Sequence, residues 1–178
     1  EWMKDTVLLT NKPILYIANI EENQISNIEN DENVKKVKAL AEEEHTKCIP
    51  LCAKIEEELS ALDDADKKEM LEAIGLQESG LDKLIKESYS LLGLMSFLTA
   101  GEPEVRAWTI KKGTKAPEAA GKIHSDIQRG FIKAEIVNYD ELIKEGGIVQ
   151  AREKGLVRSE GKEYIMQDGD VVLFKFNV

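Results

Sequence analysis

The chain is 178 residues long, 42% apolar and 33% charged, with a formal net charge of −10; that length suits one domain or two small ones. The apolar share excludes a mostly disordered chain, which could not offset the entropy of ordering, and no run of about 18 apolar residues exists to cross a membrane as a helix. Two cysteines cannot build a disulfide framework and the start, Glu1-Trp2-Met3-Lys4-Asp5, lacks a secretory signal, so the expected setting is a soluble protein of the reducing cytoplasm.

The first strong signal is Ile14-Leu15-Tyr16-Ile17-Ala18-Asn19-Ile20, after Pro13. An apolar run without period-two alternation predicts a strand buried on both faces, as in parallel α/β sheets. A polar loop through Asn30 and Asp31 follows. Next comes a helix over Asn33 to Glu44, with Val34, Val37, Leu40 and Ala41 on one stripe. Cys48-Ile49-Pro50-Leu51-Cys52 predicts a second short strand, which completes a βαβ unit. Ile55, Leu59 and Leu62 mark one helix, and Met70, Leu71 and Ile74 mark another that Gly75 stops. Leu81, Leu84, Ile85, Ser88 and Leu92 then predict a longer amphipathic helix ending at Gly93, a suitable residue just past a helix C-terminus. That glycine sets the expected boundary between residues 1–92 and residues 93–178.

Beyond it, Met95 to Thr99 and Val105 to Ile110 predict two strands joined across Ala100-Gly101-Glu102-Pro103. A single helix is expected from Pro117, a good first-turn residue, to Arg129, with Ala120, Ile123 and Ile127 inward and Gly130 ending it. Strands are expected again at Ile132 to Val137, Glu163 to Met166 and Val171 to Phe176. The turn Gln167-Asp168-Gly169-Asp170 would join the last two as a hairpin. Two strands, a helix and further strands around a small sheet describe an α+β fold of the β-grasp, ubiquitin-like kind.

Charge divides with the chain. Residues 1–92 hold 11 Lys/Arg against 21 Asp/Glu, whereas residues 93–178 hold 13 of each. Within the second half, Arg106, Lys111, Lys112, Lys115, Lys122, Arg129 and Lys133 stand against only Glu118 and Asp126. This local excess of cations suits either a polyanion-facing surface or a solvated helix face. The triplets Glu42-Glu43-Glu44 and Glu56-Glu57-Glu58 read as solvated helix faces.

Other chemistry-bearing residues point less far. Cys48 and Cys52, with His45, lack the paired spacing of a zinc site, and His124 has no nucleophile spaced for a triad. Phe97 and Trp108, on adjacent strands, suit core packing, with stacking on RNA bases as the alternative. The first half supplies only two parallel strands, too few for a doubly wound sheet, and no G-x-x-x-x-G-K-[ST] phosphate loop occurs in the chain. The expectation is therefore the C-terminal part of a longer protein whose phosphate-handling half lies elsewhere.

The two early strands end in Asn19-Ile20-Glu21-Glu22 and Cys52-Ala53-Lys54, at the carboxyl edge where α/β sheets bind ligands. In GTPases these positions hold N-K-x-D and S-A-K, the loops that read the base. The match continues, in order, through Ala100-Gly101, Glu104 to Ile110, Ala119 to Asp126, Gly130-Phe131-Ile132 and Asp168 to Val178. Together these motifs closely resemble the C-terminal part of the Obg-like ATPases, the YchF family, over essentially the whole chain.

That resemblance implies an α/β first half, part of a P-loop NTPase-like parallel sheet, followed by a small β-grasp TGS domain. It implies ATP as the nucleotide, with Mg²⁺ and the phosphate loop on the absent half, so no catalytic residue or metal ligand is assigned here. Asn19, Ile20, Glu22 and Ala53 become the implied base-binding residues. Glu22 is one methylene longer than the Asp that pairs with guanine, whereas Asn19 can still bond the N6/N7 edge of adenine. The base would pack near Ile20, with the Ala53 backbone on its edge. Similar TGS domains occur in threonyl-tRNA synthetases and stringent-response enzymes, which implies the ribosome or RNA as partner through the basic stretch Arg106 to Lys133. The alternative is a non-catalytic TGS interaction module. No membrane partner is expected.

Overall fold

A computed structural model describes residues 8–101 and 104–177; the start through Asp5, the turn residues Glu102 and Pro103, and the terminal Val178 lie outside the described residues. The chain divides into two compact units, Glu1–Leu92 and Gly93–Val178.

In the first unit, β1 (Tyr16–Asn19) and β2 (Cys48–Leu51) flank helix α1 (Glu32–Glu43) in sequence. The two strands pair in parallel, with Tyr16 opposite Cys48 and Asn19 opposite Leu51. The expected polar loop is instead a run of 3-10 turns over Glu22–Asn30, opened by reciprocal capping bonds between Glu21 and Gln24. Asp31 caps α1 by accepting the N–H groups of Val34 and Asn33. The Val34 bond is the main cause that holds the Asp31 carboxyl below its usual range.

β1 is not buried on both faces. Ile17 is 41% exposed, because β2 is the only strand beside β1 among the described residues. The core gathers Ile20 and Val34 with Cys52, Ile55, Leu59 and Leu71. Ile55 and Leu59 come from α2 (Ala53–Ser60) and Leu71 from α3 (Asp64–Ala73). Helix α4 (Gly80–Leu91) starts against β2. There the Glu56 carboxylate accepts the N–H of Gly80 at 2.7 Å and of Leu81 at 3.1 Å. A Cβ at Gly80 would lie 2.6 Å from Cβ of Leu51, so only glycine permits this approach. Leu81, Ile85 and Leu92, read as an inward stripe, are exposed.

The second unit carries β3 (Leu94–Ala100), β4 (Val105–Lys111), α5 (Ala116–Ile123), α6 (Ser125–Arg129) and β5 (Phe131–Asn138). It continues with α7 (Tyr139–Glu145), α8 (Ile148–Glu153), β6 (Arg158–Glu160) and β7 (Asp170–Phe176). The strand order is β4-β3-β7-β5-β6. β3 and β7 pair in parallel, and the other neighbours are antiparallel. Successive residues of a strand point to opposite faces, and each face carries a core, although Leu173 on the second face stays exposed. Ile136, Val172 and Phe174 pack with Phe97, Ile110 and the alanines of α5. Val137 and Val171 pack with Leu98, Leu142 and Ala151.

Three sequence expectations change here. The helix expected from Pro117 to Arg129 breaks at His124, whose φ of −160° and ψ of 143° are extended. Its imidazole Nδ1 accepts the Asp126 N–H at 3.2 Å and so caps α6. Ile123 and Ile127 both still reach the core across the break. Secondly, Glu163 to Met166 is not a strand. Only Ile165 bridges Lys115, with the flanking bonds from Ala116 N–H to Tyr164 O and from Met166 N–H to Thr114 O. Thirdly, the turn at Gln167–Asp170 therefore closes no hairpin, since β7 pairs with β5 and β3 instead. Helices α7 and α8 and strand β6 have no counterpart in the sequence reading.

That turn is held by a buried carboxylate. Asp170 is 1% exposed and accepts the Tyr164 hydroxyl and the Gln167 N–H, each at 2.9 Å. The Arg158 guanidinium lies 3.9 Å away. Leaving a buried donor without its acceptor costs about 1–3 kcal/mol, whereas losing one hydrogen bond costs about 1 kcal/mol. Asp170→Ala is thus expected to lower the stability of this unit more than Tyr164→Phe does, as read by thermal unfolding of both variants. An equal or smaller loss for Asp170→Ala would contradict this role.

Candidate functional site

Parallel pairing carries the ends of β1 and β2 to one edge of the sheet. The ladder continues one residue past the strands, with the Ile20 N–H donating to Leu51 O at 2.9 Å. Beyond it, Asn19 Oδ1 accepts the Ala53 N–H at 3.1 Å. A backbone N–H can only donate, so the amide oxygen must face Ala53, and the two Nδ2 donors of Asn19 are left for other partners. Ala53 is at the same time the first residue of α2.

The second link between the loops is ionic. Lys54 Nζ lies 2.6 Å from Glu22 Oε1, with side chains 67% and 44% exposed. The hydrogen bond to Glu22, and then its charge, raise the Lys54 ammonium above its ordinary value. Asn19, Ile20, Glu22 and Lys54, together with Glu21, Asn23 and Cys52, line an open cleft of about 330 Å³.

Of the four residues read from the sequence, Asn19, Ile20 and Glu22 line the cleft and Ala53 joins them through its bond to Asn19, with two differences from expectation. Ile20 is only 7% exposed and packs with Val34, Cys52 and Ile55, so the cleft meets its margin and not its face. The Ala53 N–H, expected on a base edge, already donates to Asn19. Lys54 is the one charged lining residue on the second loop, and it is not among the residues expected from sequence. Its signal lay in two loops of opposite charge that a βαβ unit must bring to one edge.

The other candidates take structural places. Burial pushes the Cys48 thiol up, which works against a thiolate ligand or nucleophile, and His45 closes α1 in a left-handed conformation with φ of 55°. Among the described residues no group of three or more His, Cys, Asp and Glu side chains is placed to hold a metal. They do not fit the Mg²⁺ that the family resemblance implies, and no ligand is assigned. Phe97 is fully buried. Trp108 is half-buried, donates its indole N–H to Thr99 Oγ1 at 2.9 Å, and lies under the Arg106 guanidinium at 4.3 Å.

The basic stretch is less unbalanced in space than in sequence. Lys115 pairs with Glu163 at 2.6 Å and Arg129 with Asp126 at 2.9 Å. Arg106 and Lys133 lie 3.8 and 4.0 Å from Glu104 and Glu135. Three of those four acids come from outside the stretch. Lys111, Lys112 and Lys122 have no ion pair among the described residues.

Comparison with known proteins places the chain. A family model, YchF-GTPase_C, described as "Protein of unknown function (DUF933)", matches residues 94–177. The chain is 56% identical over 176 residues to the "Ribosome-binding ATPase YchF" of Bacillus subtilis and 46% identical over 178 residues to that of Mycoplasma genitalium. Each alignment covers 99% of this chain and 48% of the relative. The YchF GTPase structure of Schizosaccharomyces pombe matches with a TM-score of 0.81 at 35% identity, over 94% of this chain and 44% of that one. The class is a mixed α/β protein with parallel and antiparallel strand pairing. Within it, this chain is homologous over 99% of its length to the YchF proteins, and it spans about half the length of the curated relatives it matches.

The bond between Asn19 and Ala53 has a direct readout. Asn19→Ala is expected to speed hydrogen exchange of the Ala53 amide about fivefold, the equivalent of one lost hydrogen bond of about 1 kcal/mol. Asn19→Asp, which keeps an acceptor oxygen, is expected to retain the protection. Unchanged exchange in Asn19→Ala would show that the bond does not hold the loops together.

Proposed function

We propose that the chain is the C-terminal portion of a ribosome-associated P-loop NTPase that binds and hydrolyses ATP. Residues 1–92 supply the base-binding loops of its nucleotide-binding domain, and residues 93–178 form its TGS domain. The observation that carries the reading is the Ala53 N–H bond to Asn19 Oδ1, which turns the amide donors of Asn19 toward the open carboxyl edge. A purine N7 can accept from them, while the exposed margin of Ile20 supplies apolar contact. Mg²⁺ and the phosphate loop belong to the half outside this sequence, and so does hydrolysis. This chain contributes choice and placement of the base.

The relatives' names support adenine, although the solved relative is titled a GTPase. A competition titration on the full-length protein decides the point. ATP is expected to bind more tightly than GTP, and Asn19→Ala to weaken ATP binding about five- to tenfold. Equal affinity of the unaltered protein for both nucleotides would overturn the reading.

The TGS assignment is supported by a sheet whose first and last strands pair in parallel at the centre, with helix α5 across one face and antiparallel partners outside. The family match over residues 94–177 supports it as well. We place the ribosome or its RNA on this unit through Lys111, Lys112 and Lys122, the cations of the basic stretch that have no ion pair among the described residues. Phosphate contacts weaken steeply between about 50 and about 200 mM salt. The full-length protein is therefore expected to sediment with ribosomes at the lower salt, and changing those three lysines to Glu is expected to abolish it. Sedimentation that survives both the changes and the higher salt would remove this unit from partner binding. The module reading, in which nucleotide chemistry is incidental, predicts sedimentation indifferent to which nucleotide is bound.

A further inference from the structure

We infer that the Lys54 ammonium, held against Glu22, is the group that sets the base preference of this site, because it turns a hydrogen-bond-accepting edge into a donating one. The inference rests on the reading of residues 19–22 and 52–54 as the base-binding loops.

Asn19 anchors a purine without choosing between them. Its oxygen faces the Ala53 N–H at 3.1 Å, so it offers chiefly amide donors, and N7 is an acceptor in adenine and guanine alike. Discrimination has to come from the groups that would face the other edge of the base. By the resemblance to N-K-x-D, Glu22 stands at the position of the carboxylate that receives the guanine N1–H and N2–H groups. One added methylene is a weak filter. Glu22 has a flexible side chain that is 44% exposed, and as a bare carboxylate it would still be an acceptor-only group able to swing toward those donors.

The ion pair is the stronger filter. Lys54 Nζ lies 2.6 Å from Glu22 Oε1, and both side chains line the cleft that Asn19 lines. An ammonium carries three donors and no acceptor. One is spent on Glu22 and two remain. The edge presented to a base is then donor-rich. Adenine offers an acceptor at N1, which matches it, whereas guanine offers an N–H there, which does not. The pair also lies across the two loops, one member on each, so the specificity element forms only when β1 and β2 are paired.

Exposed ion pairs contribute little to folding, so Lys54→Met, which keeps most of the apolar stem and removes the charge, is expected to leave the fold intact. Thermal unfolding checks this. The experiment is calorimetric titration of the full-length protein with ADP and with GDP. Lys54→Met is expected to lower the ratio of ADP to GDP affinity about five- to tenfold, the worth of one charge-assisted bond in a partly exposed place. Most of that change should be a gain for GDP as the Glu22 carboxylate is released. Lys54→Arg, which keeps both the ion pair and the donors, is expected to retain the preference. A ratio unchanged in Lys54→Met, with discrimination intact in the unaltered protein, overturns the role of Lys54 and leaves the base-site reading standing. No discrimination in the unaltered protein overturns both.

Discussion

The parallel register of β1 on β2 is the constraint on which the first unit depends. It sets Asn19 opposite Leu51, so two loops from distant parts of the chain leave the sheet at the same edge. Four consequences follow from that placement. Ile20 turns into the core, the Asn19 amide meets the Ala53 N–H, α2 begins where that bond is made, and Glu22 comes within reach of Lys54. A slip of one residue would turn the side chains of the slipped strand to the other face and part Asn19 from Ala53. The register is held by the core beneath it, where Ile20, Val34, Cys52 and Ile55 pack together, and by the contact of Gly80 on β2, where any larger residue would strike Leu51.

The second unit is organised around a different pairing. β7 lies between β3 and β5, so the last strand of the chain must be present before the sheet is continuous. Its alternate side chains feed two separate cores, with Val172 and Phe174 toward α5 and Val171 toward α7 and α8. The buried Asp170 fixes where that strand begins, because its carboxylate gathers the Tyr164 hydroxyl and the Gln167 N–H. A segment that looks like a strand in isolation, Glu163 to Met166, is thereby used as a tether.

Electrostatics shows the same dependence on folding. Counted along the chain, Arg106 to Lys133 is a strongly basic stretch. In the fold, Glu104, Glu135 and Glu163 approach from outside it and answer three of its cations. What remains without an ion pair in the stretch, among the described residues, is a narrower set of lysines. In the first unit an opposite effect operates: Lys54 draws no notice in the sequence, yet it and Glu22 become one feature when the two loops meet.

The sequence alone determined whatever depends on neighbours along the chain. The apolar runs at β1 and β2, the helical stripe at Val34 and Ala41, the stop at Gly93, and the alternation around Phe97 and Ile110 are local patterns with local causes. So is the order of motifs that carries the family resemblance, including Asn19, Ile20, Glu22 and Ala53. Tertiary structure decided what no local pattern encodes. The break at His124 depends on an imidazole capping the next turn while Ile123 and Ile127 both reach the core. The exposure of Ile17 and of the α4 stripe depends on which surfaces stand beside them. The engagement of the Ala53 N–H and the Glu22 carboxylate depends on a partner more than thirty positions away. Hydrogen bonds and ion pairs act over a few ångströms in space, and only the folded chain brings such residues that close.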